Sequence, residues 1–203
     1  MLFENKNKEG QMESGLKALI IYWSATGNTE KVANAIRKGL EKENVKPIVK
    51  KVAEAAAEAA REELYAYDLV FFGCPSYECL PPEPVLHFIK EKWKHHRERG
   101  DIKLCAPKVP GKTAVPFCTY SGPHTGINET IPAGKYVGQF FEHLGFEVAR
   151  EWYVVGEFHG REANSTRGKL GDIRGRPNEQ DLAKVEQDVC ELVRYILARR
   201  PVL

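Results

Sequence analysis

Short apolar runs alternate with amphipathic stretches along most of this chain. Four runs are typical of strands buried on both faces of a sheet, because apolar residues follow one another without alternation. They lie at residues 18–23, 68–73, 113–120 and 152–155, the last at the centre of a strand segment within 146–158. A weaker segment at 47–52 predicts a peripheral strand. Pro116 is unusual inside a core strand, since proline cannot donate a ladder hydrogen bond.

The segments between these runs have helical periodicity. In the first, Val32, Ala35, Ile36, Gly39 and Leu40 share one face of a helix predicted from about Thr29 to Lys42. Further helices are predicted from Ala53 to Leu64, around 85–93, and over 137–144 with Gly145 ending the last of these. The final helix begins near Asn178, where Asp181 completes a pattern that resembles a capping box. The polar stretch 161–176 is predicted to be a long loop.

Strands that alternate with helices predict an α/β protein with a parallel sheet covered on both sides. We expect a doubly wound, five-stranded parallel sheet of order 2-1-3-4-5 with helices on both faces. A length of 203 residues fits a single domain, which we place at residues 16–203. Residues 1–15 are polar and predict a flexible N-terminal tail.

Composition and charge exclude several classes of function. Hydrophobic residues make up 42% and charged residues 29%, which is typical of a soluble globular protein. The net charge of +2 is too small to indicate a nucleic-acid partner or an acidic membrane surface. No apolar run reaches the ~18 residues that would suggest a membrane span, and no signal-peptide pattern is present. We therefore expect a cytoplasmic protein.

The five cysteines support the same expectation. Their number is odd and they are scattered, which argues against a disulfide framework and for a reducing compartment. Cys74 and Cys79 lack a second nearby pair, so we expect neither zinc nor an iron–sulfur cluster, and no metal site. Cys118 and Cys190 lie in apolar patterns and are expected to be buried.

The segment from Ser24 to Thr29, which connects the first strand to the first helix, has the chemistry of an anion site. A strand that turns into a helix presents backbone N–H groups and the positive end of the helix dipole to a small volume. Ser24, Thr26 and Thr29 add hydroxyl groups, and Gly27 allows close approach of the backbone. Because the loop has no Lys or Arg, it suits a phosphate monoester better than a nucleoside triphosphate. The spacings G-x-x-x-x-G-K-[ST] and G-x-G-x-x-G are both absent. An ordinary hydroxyl N-cap on the helix is the alternative.

Two further loops are expected to meet this one. In doubly wound sheets, ligands bind beyond the carboxyl ends of the strands, where the strand order reverses. The loops leaving strands 1, 3 and 4 therefore converge, and the last two each carry an aromatic residue, Tyr77 and Tyr120. Donors at one end and stacking surfaces at the other fit a flat, phosphorylated, aromatic ligand.

Residues 20–30, 67–77 and 176–182 carry a resemblance to a known family. By these three segments the chain resembles the flavodoxin-like family from about Lys17 to Leu197. The resemblance implies FMN as the cofactor. By that resemblance, the ribityl phosphate and the isoalloxazine ring would be bound by residues of the three loops: Ser24, Ala25, Thr26, Gly27, Asn28 and Thr29 for the phosphate, and Pro75, Ser76, Tyr77, Glu78, Thr119, Tyr120, Ser121 and Gly122 for the ring.

The chain also departs from the electron-carrying flavodoxins. Those proteins are usually strongly acidic, whereas this chain is nearly neutral, and Pro75-Ser76-Tyr77 looks more like the quinone- and flavin-reductase branch. We therefore expect an FMN-dependent oxidoreductase that passes electrons from NAD(P)H or a protein donor to a quinone or similar acceptor. A non-catalytic electron carrier is the first alternative, and a binding domain that has lost flavin is the second.

The candidate catalytic residues come from the loops after strands 3 and 4. Tyr77, Glu78 and His124 are the candidates for contact with the flavin or substrate, although Glu78 can also be a solvent-exposed carboxylate. His143 is more typical of a helix C-terminus. The basic stretch within residues 93–111 is either an interface or a solvated surface, and reductases of this type are often homo-oligomers.

Overall fold

The computed structural model describes residues 15–52 and 63–200. The tail predicted for residues 1–15 and the alanine-rich helix predicted from Ala53 to Leu64 lie almost entirely outside the described residues. Their predictions therefore remain untested.

The sheet has the predicted parallel topology. Its strands are β1 (Ala18–Tyr22), β2 (Ile48–Lys51), β3 (Leu69–Pro75), β4 (Thr113–Tyr120), β5 (Glu147–Val148) and β6 (Trp152–Val155). The order is β2-β1-β3-β4-β5, and β6 also pairs with β4, so β5 and β6 together occupy the fifth position. The structure thus confirms the 2-1-3-4-5 order, with a fifth strand that is interrupted.

Helices cover both faces of this sheet. They are α1 (Asn28–Lys42), α2 (Glu83–Glu98), α3 (Ile131–His143), α4 (Glu162–Thr166) and α5 (Glu179–Ala198). Two 3₁₀ turns lie at Leu64–Ala66 and Gly126–Glu129. The prediction of a loop throughout 161–176 was wrong, because α4 forms inside it. The capping box at the start of α5 is confirmed, since the Asn178 side chain accepts from the Asp181 N–H and the Asp181 carboxylate from the Asn178 N–H.

Pro116 marks the place where the fifth strand breaks. Ala149 and Gly156 donate backbone hydrogen bonds to Ala114 and Tyr120, so even-numbered residues of β4 face the fifth strand. Pro116 therefore faces it too, and it has no N–H to donate. Between the paired positions 114–148 and 117–152, the fifth strand has one residue more than β4, which is the geometry of a bulge.

The core consists of two apolar layers, one on each face of the sheet. Leu19 and Ile21 of β1 pack on the side of α2 and α3, whereas Ile20 and Tyr22 pack on the side of α1 and α5. This alternation explains why β1 is apolar at every position. On the second side α1 and α5 lie in close contact, since a Cβ at Gly39 would lie 2.7 Å from the Val189 Cβ.

None of the helices within 15–52 and 63–200 combines the length and the apolar character needed to cross a membrane.

Candidate functional site

The loop after β1 leaves the first turn of α1 open to a ligand. Gly27 occupies the N-cap position with φ 92°, a left-handed conformation that favours glycine, and no described side chain caps the helix. The Ser24 Oγ instead accepts a hydrogen bond from the Gly27 N–H at 3.1 Å. The alternative of a hydroxyl N-cap is therefore wrong. The N–H groups of the first helical turn have no intrahelical partners and remain suited to an anion.

Asn28 and Thr29 join this loop to two other parts of the site. The Thr29 and Thr119 hydroxyls are 2.8 Å apart in a buried contact. The Asn28 Nδ2 donates to the Glu157 carbonyl at 2.9 Å, and a Cβ at Gly156 would lie 2.9 Å from that nitrogen. The Asn28 Oδ1 is buried and has no partner among the described residues. A hydrogen-bond donor from a ligand or a water molecule would pair with this acceptor.

The loop after β3 ends in a tight turn at residues 77–80. Tyr77 and Leu80 exchange two backbone hydrogen bonds of 2.9 Å, and Glu78 and Cys79 between them have φ of 49° and 68°. Two successive left-handed residues are unusual outside glycine and asparagine, and such strain is concentrated at functional sites. Tyr77 remains 46% exposed, and its ring is perpendicular to that of Trp23, with the ring centroids 5.9 Å apart. Its ring is thus available for stacking.

The loop after β4 is folded around a carboxylate. The backbone N–H groups of His124 and Thr125 both donate to the Glu129 Oε1. Gly122 has φ 52°, and a Cβ there would lie 2.6 Å from the Gly126 carbonyl oxygen, so this turn requires glycine. The loop is therefore held in one shape by its own contacts.

The two tyrosines that were predicted to flank a ring differ in exposure. Tyr120 is only 8% exposed, at the end of β4. Burial raises the pKa of both phenols, although Arg176 partly offsets this for Tyr120. Both hydroxyl groups therefore stay protonated near neutral pH and can donate hydrogen bonds.

The three loops meet around one open cavity of about 820 Å³. This volume lies in the upper part of the ~300–1,000 Å³ range of small-molecule sites. Gly27 and Gly122 do not line the cavity but shape the loops behind it. The other predicted cofactor residues all line it: Ser24, Ala25, Thr26, Asn28, Thr29, Pro75, Ser76, Tyr77, Glu78, Thr119, Tyr120 and Ser121. The structure therefore brings the three predicted loops to one place.

Part of the cavity wall was not predicted. Gly156 to His159, which follow β6, line the cavity together with Asn164 of α4. Leu80, Pro81, Pro82 and Leu86 add an apolar side. The rule that ligands bind at the carboxyl ends of strands would have indicated residues 156–159, had the end of the fifth strand been placed at Val155 rather than Phe158.

The cavity has an unusual charge distribution. None of the described residues that line it is Lys or Arg. Apart from the two tyrosines, its ionisable groups are His124, His159 and the carboxylates of Glu78, Glu83, Glu129 and Glu157. An anion bound here would rely on backbone N–H and hydroxyl donors, as the first loop suggested. Across residues 15–52 and 63–200, no group of three or more His, Cys, Asp or Glu residues is arranged to hold a metal ion.

The candidate catalytic residues have different locations. Tyr77, Glu78 and His124 all line the cavity. His143 lies instead at the end of α3, where its Nδ1 is 2.7 Å from the Gln139 carbonyl oxygen and its ring packs nearly perpendicular to that of Trp93. This is the helix C-terminal position expected for it.

The basic stretch within residues 93–111 is distant from this site. α2 continues to Glu98, and the following irregular segment leads to the amino end of β4, opposite the cavity. His96 is buried, with its Nδ1 2.8 Å from the Asp101 Oδ2, while Leu104 is 96% exposed. These contacts order the segment but do not bring it to the candidate site.

The cysteines are free thiols. Cys74 and Cys118 are paired positions of β3 and β4, and both are buried, as expected for Cys118. The contact with Cys118, together with burial, raises the pKa of the Cys74 thiol, so it is not activated as a nucleophile. Cys190 is also buried, and its Sγ is 3.5 Å from the Gly39 carbonyl oxygen.

Comparison with known proteins agrees with this architecture. Residues 20–105 match the family model for flavodoxin. Among solved structures, oxidised Flavodoxin 1 from Bacillus cereus aligns with a TM-score of 0.60 at 17% identity, covering 88% of this chain and 98% of that one. A flavodoxin, WrbA-like protein from Agrobacterium tumefaciens aligns with a TM-score of 0.57 at 14% identity, covering 92% and 100%. The chain therefore has a flavodoxin-like fold.

One curated relative is similar over most of the chain. It is an NAD(P)H dehydrogenase (quinone) from Archaeoglobus fulgidus, 28% identical over 191 residues that cover 82% of this chain and 90% of the relative.

Proposed function

We propose that this protein is an FMN-dependent oxidoreductase that takes electrons from NAD(P)H and passes them to a quinone or a similar acceptor. The observation that carries this proposal is the single cavity in which an uncapped helix N-terminus, a half-exposed tyrosine and a wide apolar wall lie side by side. The Archaeoglobus relative supports the choice of donor and acceptor.

The residues present fit FMN. The first turn of α1 offers N–H donors without competing cations, which suits the monophosphate, and the unpaired Asn28 Oδ1 can accept from a hydroxyl group of the ribityl chain. Tyr77 provides exposed aromatic surface for the ring, and Tyr120, although largely buried, also lines the cavity. When bound, FMN would supply the redox chemistry, by one-electron or hydride transfer.

The protein's own part in this function is to bind and orient the flavin and to adjust its reduction potential. The hydrogen bonds between Thr29 and Thr119, and between Ser76 N–H and the Thr119 carbonyl, hold the three loops in one arrangement. Glu78, at the cavity, would disfavour additional negative charge on the ring. The open apolar side formed by Leu80, Pro81, Pro82 and Leu86 leaves room for a second flat molecule.

Spectroscopy of the purified protein tests the proposal. The protein should be yellow or take up added FMN, and NAD(P)H alone should bleach the flavin bands within the mixing time. Bleaching only after addition of a separate reductase would identify an electron carrier instead. A colourless protein that does not bind FMN would exclude both redox functions.

We also propose that the protein works in the reducing cytoplasm. All five cysteines are free thiols, and two of them, Cys79 and Cys105, are not buried. Exposed thiols persist where the compartment keeps them reduced.

A further inference from the structure

Residues 157–176, which we call the strap, form an ordered wall of the cavity. The strap begins and ends at the same place, because the Glu157 N–H donates to the Arg176 carbonyl at 2.8 Å. Its interior is fastened to buried Ser165, whose Oγ accepts from the Phe158 N–H at 2.9 Å and whose carbonyl accepts from the Ile173 N–H at 2.8 Å. These hydrogen bonds fix the backbone of the strap, so its exposed side chains extend from defined positions.

The strap also packs against the loop after β4. The Lys169 N–H donates to the Pro123 carbonyl at 2.8 Å. A Cβ at Gly126 would lie 3.6 Å from the Lys169 Cγ, so the Lys169 side chain passes beside this loop. Pro123 and His124 line the cavity. Lys169 thus lies at the rim where the strap and the third loop meet.

The strap has more cations than its acids can neutralise. Residues 157–176 include five Arg or Lys and three Asp or Glu. All three acids already have partners. Asp172 and Glu162 both pair with Arg174, one of the five cations, and the Glu157 carboxylate accepts from the Gly175 N–H at 2.8 Å.

Arg176 pairs with Asp181, which leaves three cations of the strap to account for. Within the described residues, no ion pair or side-chain hydrogen bond involves Arg161, Arg167 or Lys169. These three positive charges are therefore available to a ligand.

Their position relative to the cavity is defined by α4. Arg161 and Arg167 flank this helix on either side, and its Asn164 lines the cavity. Phe158 also lines the cavity and is 39% exposed. A Cβ at position 160 would lie 2.6 Å from the Phe158 ring, so only glycine at this position leaves room for the ring. The strap thus carries an exposed aromatic ring at the cavity and three unpaired cations on the backbone next to it, whereas none of the described residues that line the cavity is Lys or Arg.

We propose that Arg161, Arg167 and Lys169 of the strap bind the phosphate groups of NAD(P)H while its nicotinamide end enters the cavity. This inference rests on the proposed function and adds the subsite that recognises the donor. Guanidinium groups suit phosphates because they donate two parallel hydrogen bonds. We favour a dinucleotide over an acidic protein because the three cations lie within a segment of nine residues, whereas a protein partner contacts roughly 20–30 residues.

The test replaces these residues with glutamine and uses three reductants. Arg161→Gln, Arg167→Gln and Lys169→Gln are made singly and together, and flavin bleaching is followed with NADPH, NADH and N-benzyl-dihydronicotinamide, which has no phosphate. Each single change should weaken binding of NADPH about two- to fivefold, and the triple change more than tenfold, because exposed cations contribute modestly. The rate with the phosphate-free reductant should not change. Lys38→Gln, on the exposed side of α1, is the matched control.

A second measurement does not depend on flavin chemistry. Calorimetric titration with adenosine 2′,5′-bisphosphate should show binding that weakens in the triple variant and with added salt, while the affinity for FMN stays the same. If the protein binds no FMN, the proposed function fails, but this titration still decides whether the strap binds phosphate.

Two results would overturn the inference. An equal loss with N-benzyl-dihydronicotinamide would show that the substitutions damage the site as a whole. A triple variant that binds the bisphosphate normally but no longer accepts electrons from a reductase would assign the cations to a protein partner.

Discussion

Thr26 is the residue through which the proposed phosphate site can be tested most directly. It lies in the loop before the uncapped first turn of α1 and lines the cavity. Replacing Thr26 with Val removes one hydroxyl donor at constant shape. We expect FMN binding to weaken by ~1–3 kcal/mol, measured by titration of the apoprotein.

The matched control is Thr113→Val, at the opposite end of β4. Thr113 is buried and does not line the cavity, so FMN affinity should not change there. If Thr26→Val binds FMN as tightly as the wild type, the phosphate site is not where we place it.

Glu78 offers a residue-level test of the ring environment. It lies in the strained turn between Tyr77 and Leu80 and lines the cavity. Glu78→Gln removes a negative charge without changing the shape of the side chain, so reduction of the flavin should become easier. We expect the two-electron midpoint potential to rise by roughly 10–30 mV, a small shift because the carboxylate is exposed to solvent. A potential that stays constant in a redox titration would place Glu78 away from the ring.

At the scale of elements, α3 carries two buried glycines with different surroundings. A Cβ at Gly134 would lie 2.5 Å from the Tyr153 Oη and 2.6 Å from its Cε1, whereas a Cβ at Gly138 has no neighbour nearer than 3.5 Å. Gly134→Ala should therefore destabilise the protein by about 1–3 kcal/mol through overpacking. Gly138→Ala should stabilise it by up to ~1 kcal/mol, because alanine is the better helix former.

Chemical denaturation of the two variants checks this prediction. Each serves as the control for the other, since the same substitution is made one helical turn apart. Equal effects of the two substitutions would contradict the expected overpacking against Tyr153.

At the scale of the whole molecule, Asp68 joins three distant parts of the chain. Its carboxylate accepts from the Lys17 N–H before β1 at 3.1 Å, from Arg200 after α5 at 2.7 Å and from Lys112 before β4 at 3.2 Å. Asp68→Asn removes the charge that these groups share. We expect a loss of about 1–2 kcal/mol in the free energy of unfolding at pH 7, a modest value because the group is partly exposed.

The pH dependence of this contribution has a defined sign. Burial alone would raise the pKa of Asp68, but the Lys17 N–H, Arg200 and Lys112 outweigh it and lower the pKa below 3.8. A lowered pKa stabilises the folded state above the unfolded-state value, ~3.9, and this stabilisation is lost as the pH falls through the folded-state value.

Urea unfolding of wild type and Asp68→Asn at pH 7 and pH 3 therefore should show a smaller difference at the lower pH. Asp172→Asn, which changes an exposed pair with Arg174, should alter stability less than Asp68→Asn at pH 7, because solvent screens an exposed pair. A difference that stays the same at both pH values would contradict the role of the charge.

Local patterns account for most of the sheet and for the contents of the three loops. Apolar runs in β1, β3 and β4 were recognisable because both faces of these strands are buried, and Asn178 with Asp181 predicted a cap that depends only on neighbours in sequence. The fifth strand was located only approximately. Its interruption depends on Pro116, which lies in another strand, and a contact between strands leaves no periodicity in either one.

The strap shows the limit of local patterns. Residues 161–176, which make up most of it, are polar and glycine-containing without apolar periodicity, and they therefore predict a loop. The place of the strap beside the cavity comes from contacts between distant residues. The bond from Asn28 to the Glu157 carbonyl joins residues 129 positions apart. Side-chain periodicity reports which face of an element is buried, and it therefore dictates the strands, the helices and the order of the loops. Which loops meet, and which charges remain unpaired around the cavity, follows only from the packing of the whole chain, because those contacts form between segments that no local pattern relates.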